Sequence, residues 1–506
     1  MSYYLIGIGG TGAKCLEAFI HLNGAGLLKD TQSVKMIFVD ADISNGNLKR
    51  AQTAANLFVE ASKIGFGDSG ILKNQLEPVN AWSPIPDRDP NNPNDGKCKA
   101  MDEVFQSDAL QNIAELNSLN MLYTSLFTKK ERRTDLKKGF RGHPAIGAAV
   151  INSSIRANDE PMWQELFQQI NADADARVFL FGSVFGGTGA AGFPTIAKII
   201  KDSLRRDEEN NTAARIGGAL ILPYFQFPLP TSTEQQELQA KVEDFFLNTK
   251  SALEYYSRSN LLKEVFQSLY LIGDNDLVQV QNFSLGSDTQ KNEANIIEVY
   301  AALAAFDFFN KVTFADTTET PMIARGDGTA ETANKIQWED LPNPCVEGCL
   351  KDKLAAYIKF LYVYRHCVLV NLQACAENEN KKKDVKWYKD LVEKAGNIDV
   401  YRDNQTMNKF NALGDYATAF FKWLEQISNQ SNRTIELVNK TIFTNPDPDT
   451  MIDVFKVVLP VVTRQDSLTR KEFWRQLCQY TNTLNRTNSS GAEILMKAVY
   501  DICSRG

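Results

Sequence analysis

The chain lacks several features that would assign it a class at once. No apolar run reaches the ~18 residues of a membrane span; the longest, around Val299 to Phe309, is interrupted by Asp307. No basic region or small-residue cleavage site precedes the first strand-like segment, so the expected location is cytoplasmic. Basic residues are not in excess: 55 Lys and Arg stand against 62 Asp and Glu, a net charge of −7. That balance offers nothing for general binding to nucleic acid or anionic membranes. No repeat recurs at a fixed period, which argues against a solenoid or propeller. The Walker A pattern G-x-x-x-x-G-K-[ST] occurs nowhere, which excludes the ordinary P-loop route to phosphate. Neither the three histidines nor the eight cysteines sit in a recognisable catalytic context. The cysteines are scattered, mostly in helix-like apolar runs, as in a reduced protein. Cys345-x-x-x-Cys349 with His366-Cys367 matches no standard zinc spacing.

What is present is an ordinary globular composition, 43% hydrophobic and 23% charged over 506 residues, long enough for two to four domains. A strand (Tyr3–Ile8), a glycine turn and a helix (Thr11–Leu22) open the chain. A second strand, Val34–Val39, ends in Asp40-Ala-Asp42. From about 67 to 136 the alternation fails, and the Pro-, Asn- and Asp-rich stretch within it reads as an insertion. A helix is expected over Glu103–Phe127, followed by the basic turn "KKERRTDLKKGFRGHPAIG". Its charges suit a solvated loop; the alternative is that some approach a phosphate. Regular order then returns. A helix is expected over Ala148–Ile170 with a break near Pro161, then a strand at Arg177–Phe181 and a helix at Pro194–Leu204. A strand at Ile216–Leu222, a helix over Glu234–Tyr256, a strand at Ser268–Ile272 and a helix over Ala294–Phe309 complete the pattern. Alternating strands and helices imply an α/β fold with a parallel sheet. Beyond about 340 the chain is mostly helix-patterned and reads as a separate helical region.

Two glycine loops carry the chemistry. Gly7, Gly9 and Gly12 in "GIGGTG" fit G-x-G-x-x-G, the dinucleotide fingerprint. An NAD-dependent oxidoreductase also needs an acidic residue ending the second strand, and Asp40 is so placed. That reading leaves the second loop, "FGGTGAAG", unexplained. There a strand leads into Gly186-Gly187-Thr188-Gly189-Ala190, and a helix follows. Such a loop turns successive N–H groups toward an anion, with the helix dipole behind them, and the Thr188 hydroxyl can donate to a phosphate oxygen. Parallel strands can bring both loops to one end of a sheet, where they would grip a phosphate chain from two sides.

That pairing resembles the tubulin/FtsZ superfamily. "GGTGAAG" is similar to its signature loop, with one extra Ala. "GIGGTGAKCLEAF" resembles its first phosphate loop, "FVDADISNGNL" the segment after its second strand, "GFRGHPAIGAAV" its third loop, and "GALILPYFQFP" the strand and aromatic turn that follow the signature. The five occur in family order over residues 1–310, and the fit is nearest to divergent bacterial tubulin-like proteins. The resemblance implies a GTP-binding domain over 1–310, carrying the 67–136 insertion, ahead of a mainly helical region over 311–506. It implies GTP or GDP with Mg²⁺ held by Gly9, Gly10, Thr11, Gly12, Asp40, Asp42, Gly142, Gly186, Gly187, Thr188, Gly189 and Ala190, with Asn248 at the base. It further implies head-to-tail self-assembly into filaments and hydrolysis completed by a neighbouring subunit. Asp316 then stands where that subunit's second carboxylate would lie, and Thr313 replaces the first. A non-hydrolysing switch or scaffold with other protein partners is the alternative, and the NAD enzyme a remote one.

Overall fold

The computed structural model describes residues 2–29, 33–78, 81–88, 96–136, 139–140, 143–156, 160–173, 175–204, 214–226, 242–258, 261–280, 291–311, 314, 334–444, 451–460, 467–480 and 491–505. Six strands form one sheet: β1 (Tyr3–Ile8), β2 (Ser33–Val39), β3 (Gln75–Pro78), β4 (Arg177–Ser183), β5 (Arg215–Ile221) and β6 (Ser268–Ile272). Their order is β3-β2-β1-β4-β5-β6, and every pairing is parallel. β1 and β4 are buried along their whole length, as continuous apolar strands covered on both faces must be.

Helices cover both faces. α1 (Gly9–Asn23), α2 (Gly46–Ser62) and α7 (Ile296–Asn310) pack together on one; α3 (Pro144–Arg156) packs on α5 (Gly187–Ser203) on the other. Successive strand residues show the division, because they point to opposite faces. A Cβ on Gly217 would meet Phe308 of α7, whereas one on Gly218 would meet Phe193 of α5. α7 is apolar all round and almost wholly buried, the pattern of a core helix. Phe306 stacks on Phe19 of α1 with ring centroids 4.3 Å apart, and Phe309 on Tyr3 at 4.6 Å. Burying each such ring is worth roughly 1.5–3 kcal/mol. A capping box of Asn295 and Glu298 starts the helix. Its last carbonyls, which have no intrahelical partner, accept from Tyr3 Oη (3.2 Å to Phe309) and Arg177 Nη1 (3.1 Å to Phe308). α7 therefore runs from the C-terminal edge of the sheet, beside α1, to the edge where β1 and β4 begin.

The parallel α/β architecture and the mainly helical remainder agree with the reading of the sequence. Four details differ. The 67–136 excursion supplies the edge strand β3, and Trp82 extends the same edge by donating to Phe38 O at 2.8 Å. Four residues ending in proline are too short for a periodic signal, and edge strands tolerate proline. The helix expected over Glu103–Phe127 is broken into Met101–Val104, Ser107–Asn112, the 3₁₀ turn Ala114–Leu116 and Asn117–Leu126. Gln106 in the left-handed region (φ 48°) and the extended Ile113 break it, with neither glycine nor proline to mark the sites. The helix expected over Glu234–Tyr256 runs on to Arg258 as α6 (Val242–Arg258), and its expected first residues, 234–241, lie outside the described residues.

The fourth difference concerns the C-terminal region. Its main helices are α8 (Leu350–Val363), α9 (Asn404–Ser428) and α10 (Ala492–Ser504). They share one hydrophobic core with the sheet domain and are not separate from it. α9 packs on α2, and His21 of α1 lies among Tyr416, Phe420 and Trp423 of α9, with ring centroids 4.9–5.7 Å away. Among the described residues, no helix is long and apolar enough to cross a membrane.

Candidate functional site

In this strand order the connections reverse direction between β1 and β4, and such a switch point opens a crevice beyond the strand ends. Both glycine loops lie there, one after β1 and one after β4. Neither α1 nor α5 has a side-chain cap at its start, so their first N–H groups are free to meet an anion. The two starts converge. A Cβ on Gly9 would stand 3.2 Å from the Gly189 nitrogen and 3.5 Å from Thr188 Cβ. Gly9 also has φ +74°, a conformation that glycine adopts without steric cost.

The glycines do not share one task. A Cβ on Gly12 would lie 2.8 Å from Phe181 O, and one on Gly189 would lie 2.8 Å from Ser183 N. These two let helices sit hard against strands. Gly10 faces outward, where the nearest atom to its Cβ position is Asn45 Nδ2, at 3.1 Å.

The third loop joins them. A Cβ on Gly139 would stand 3.9 Å from Thr188 Oγ1, and one on Gly147 would run into Ala191 and Phe140. Three of the five resemblance segments thus meet around Thr188. Asp40, at the end of β2, brings a fourth. It is buried, and its Oδ1 accepts from Thr188 Oγ1 and from Asp42 N, each at 3.2 Å. Burial, with the Asp42 charge adding, pushes its carboxyl up to about 7. Asp42 Oδ1 accepts from Ser44 N at 3.0 Å, and Asn45 caps α2 by accepting from Asn47 N at 2.9 Å.

The fifth segment is the turn after β5. Tyr224 is buried there and donates to Glu298 Oε1 at 2.9 Å. Glu298 lies in the first turn of α7, wholly buried, and pairs with Lys14 of α1 at 2.5 Å. Beside this pair, Arg50 of α2 chelates Glu17 of α1 through Nε at 2.8 Å to both oxygens. Arg50 Nη1 also holds Asn292 O at 2.7 Å, while Asn292 N donates to Asn47 Oδ1 at 2.8 Å. Buried charges persist when paired and hydrogen-bonded, and this network ties α1, α2 and the approach to α7 beneath the first glycine loop.

Of the residues singled out in the sequence, Gly9, Gly10, Thr11, Gly12, Asp40, Asp42, Gly186, Gly187, Thr188, Gly189 and Ala190 gather at this crevice. Gly142 and Asp316 lie outside the described residues, as does Thr313. Asn248 is exposed on α6, and no contact of the described residues ties it to either loop; Tyr256, two turns further on, donates to Ala190 O at 3.4 Å. The sequence reading passed over Lys14, Asn45, Asn47, Tyr224, Asn292 and Glu298. Lone charges in apolar helices at Lys14 and Glu298 were the available signal. Of the cysteine cluster, Cys367 is buried with its Sγ 3.1 Å from Met451 Sδ, and Cys349 is exposed.

Among the described residues, no three His, Cys, Asp or Glu side chains are grouped to hold a metal. Mg²⁺ asks for less: one or two carboxylates, with water and phosphate oxygens completing an octahedron. Asp40, a buried acid short of positive charge, with Asp42 beside it, fits that demand.

No protein-family model matches the sequence, and no curated protein does. Among solved structures, the chain is similar to CetZ2 from Haloferax volcanii in a GTPγS-bound protofilament, with 14% identity and a TM-score of 0.29 over 63% of this chain and 61% of that one. It is similar to TubZ from Bacillus thuringiensis serovar israelensis in a GTPγS-form protofilament, with 9% identity and a TM-score of 0.25 over 54% and 46%. It is also similar to CetZ from Methanosaeta thermophila, with 13% identity and a TM-score of 0.26 over 60% and 52%. The matches therefore span less than two thirds of each of these chains.

Proposed function

We propose that the crevice between β1 and β4 binds a nucleoside triphosphate, GTP with Mg²⁺, and that the protein self-associates head to tail and hydrolyses GTP where subunits meet. One observation carries the site: two uncapped glycine-led helix starts on adjacent strands converge to within van der Waals reach, with the buried carboxyl of Asp40 accepting from Thr188 of the second. Amides and helix dipoles would neutralise the phosphates, so the acidic net charge is no obstacle. Mg²⁺, when bound, supplies the charge that stabilises the phosphoryl oxygens; Asp40 and Asp42 would hold it. Gly9 and Gly10 present the first loop, Gly186 and Thr188 the second. The preference for guanine and the roles of Gly142, Asn248 and Asp316 come from the resemblance in sequence. Asp316 would orient the attacking water from the next subunit.

Calorimetry with GTP, ATP and NAD tests the site: GTP binding is expected, and NAD binding without GTP binding overturns it. Electron microscopy with GTP, GDP and a non-hydrolysable analogue, alongside turnover at rising protein concentration, tests assembly. Asp316→Ala is expected to retain binding and lose turnover. Tight binding with no turnover at high concentration would make the protein a nucleotide-dependent scaffold.

A further inference from the structure

The insertion over 67–136 carries a helix, Asn117–Leu126, that holds no charged residue. Tyr123 is its inward face. Tyr123 is buried, lies against Phe105 and Phe127 with ring centroids 5.6 and 5.9 Å away, and donates to Asp102 at 3.1 Å. Arg132 lies over the same ring at 5.4 Å and pairs with Asp102 at 3.5 Å. With that face pinned, Leu119, Leu122 and Leu126, spaced i, i+3, i+7, form a stripe on another face. These three and Met121 are 53–69% exposed. Of thirteen large apolar side chains exposed among the described residues, five fall within 113–126, Ile113 included. Such a concentration marks a contact surface.

Charge is laid out in order along the same stretch. Glu115 stands in the 3₁₀ turn that leads into the helix, and Lys129 and Lys130 open the turn that follows it, Lys129–Arg132. All three are exposed, and among the described residues none pairs with an opposite charge. Glu115 and Lys129 each lie seven residues from Leu122, one before it and one after. An acid, an uncharged leucine stripe and a base, in that order, complement a second copy laid alongside in the opposite direction.

We propose that this face is a contact between two copies of the chain, paired about a two-fold axis with the helices antiparallel. Leu122 lies by the axis and meets its own counterpart. Leu119 and Leu126 interleave on either side, and Glu115 of each copy faces Lys129 and Lys130 of the other. Each contact then occurs twice, as an isologous interface requires, and the opposed helix dipoles add to the fit. An anionic membrane would also take lysines beside leucines. It would repel Glu115 and the exposed Asp108 at the other end, whereas a copy of the chain uses both ends. A ten-residue helix face is smaller than the ~800 Å² per partner of a stable interface, so the pair forms reversibly. It needs no nucleotide and stands whether or not the crevice binds GTP.

The test is sedimentation velocity on the full chain, in EDTA without nucleotide, over a rising concentration series. Wild type is expected to pass from monomer to dimer, and less readily at high salt. Leu122→Glu is expected to weaken pairing about tenfold or more, because it sets two like charges on the axis. Glu115→Lys and Lys129→Glu/Lys130→Glu are each expected to pair more weakly than wild type. An equimolar mixture of those two is expected to recover the dimer, since opposite charges then face each other at both ends. Leu122→Cys, treated with a short bismaleimide, is expected to give a link from position 122 of one copy to position 122 of another, identified by peptide mass spectrometry. If Leu122→Glu does not fold, the mixture and the link still decide. Wild type that stays monomeric throughout overturns the pairing. So does a dimer untouched by Leu122→Glu, a mixture no better than its components, or no link at position 122. Binding to phosphatidylglycerol vesicles by a chain that stays monomeric gives the face to a membrane and equally overturns it.

Discussion

The two glycine loops look alike in sequence and are supported in opposite ways. The first rests on charge: Lys14, Glu17, Arg50 and Glu298 are paired beneath it, and Tyr224 donates to Glu298. The second rests on shape. Ala191 and Phe193 follow it on α5, both buried, and its own Thr188 reaches across to Asp40. The difference teaches that a strand–glycine–helix motif specifies a backbone path and leaves its chemistry to the neighbours. Ion pairs fix which helices meet beneath a loop, whereas apolar packing holds a backbone at one distance.

The largest effects divide the loops by pH. Asp40, bonded to the second loop, has its carboxyl raised from 3.8 to about 7. Its stabilising contribution is full below pH ~4 and is lost as pH rises through 7. His21, on the helix of the first loop, is lowered by burial from 6.5 to about 3. Its contribution is full above pH ~6.5 and is lost as pH falls toward 3. Each is on the order of 4–5 kcal/mol, and the two oppose each other between pH ~4 and ~6.5. In urea unfolding, Asp40→Asn is expected to steepen the loss of stability on acidification and to raise stability at pH 8. A profile parallel to wild type would remove Asp40 from this role.

Next comes the division among glycines. Gly12→Val puts a side chain into the carbonyl of β4 and is expected to cost about 3 kcal/mol or more. Gly10→Ala meets only the side-chain amides of Asn45 and Asn47 and is expected to cost under about 1 kcal/mol while weakening nucleotide binding. Thermal melts paired with calorimetry read both; equal destabilisation by the two would erase the distinction. A milder effect than that of Gly12→Val is expected at Thr188. Thr188→Ala removes one donor to Asp40, at about 1 kcal/mol, and is expected to weaken GTP binding about tenfold. Unchanged affinity would show that the second loop holds phosphate by its backbone alone.

Legibility followed distance along the chain. The glycine loops, β1, β4 and Asp40 were readable because each is a local pattern whose conformation depends on residues within a few positions. Glu298 was not: its partners, Lys14 and Tyr224, are far away in sequence, and nothing local says that an acid at the start of an apolar helix will be buried. Asn248 follows the aromatic turn in sequence and is exposed on α6, whereas the start of α7, through Asn292 and Glu298, is what the fold brings against α1 and α2. The helix expected over Glu103–Phe127 failed because Gln106 and Ile113 adopt breaking conformations without a breaking residue type.

The sequence by itself determined a parallel α/β protein with two strand–glycine–helix turns, because strand periodicity, glycine and helix starts are properties of short segments. Only the tertiary structure decided which glycines are packing positions, that the helical region shares the core of the sheet, and that Glu298 is buried between Lys14 and Tyr224. Those depend on what stands against each residue from elsewhere in the chain, and a buried network is settled only when all its members are in place.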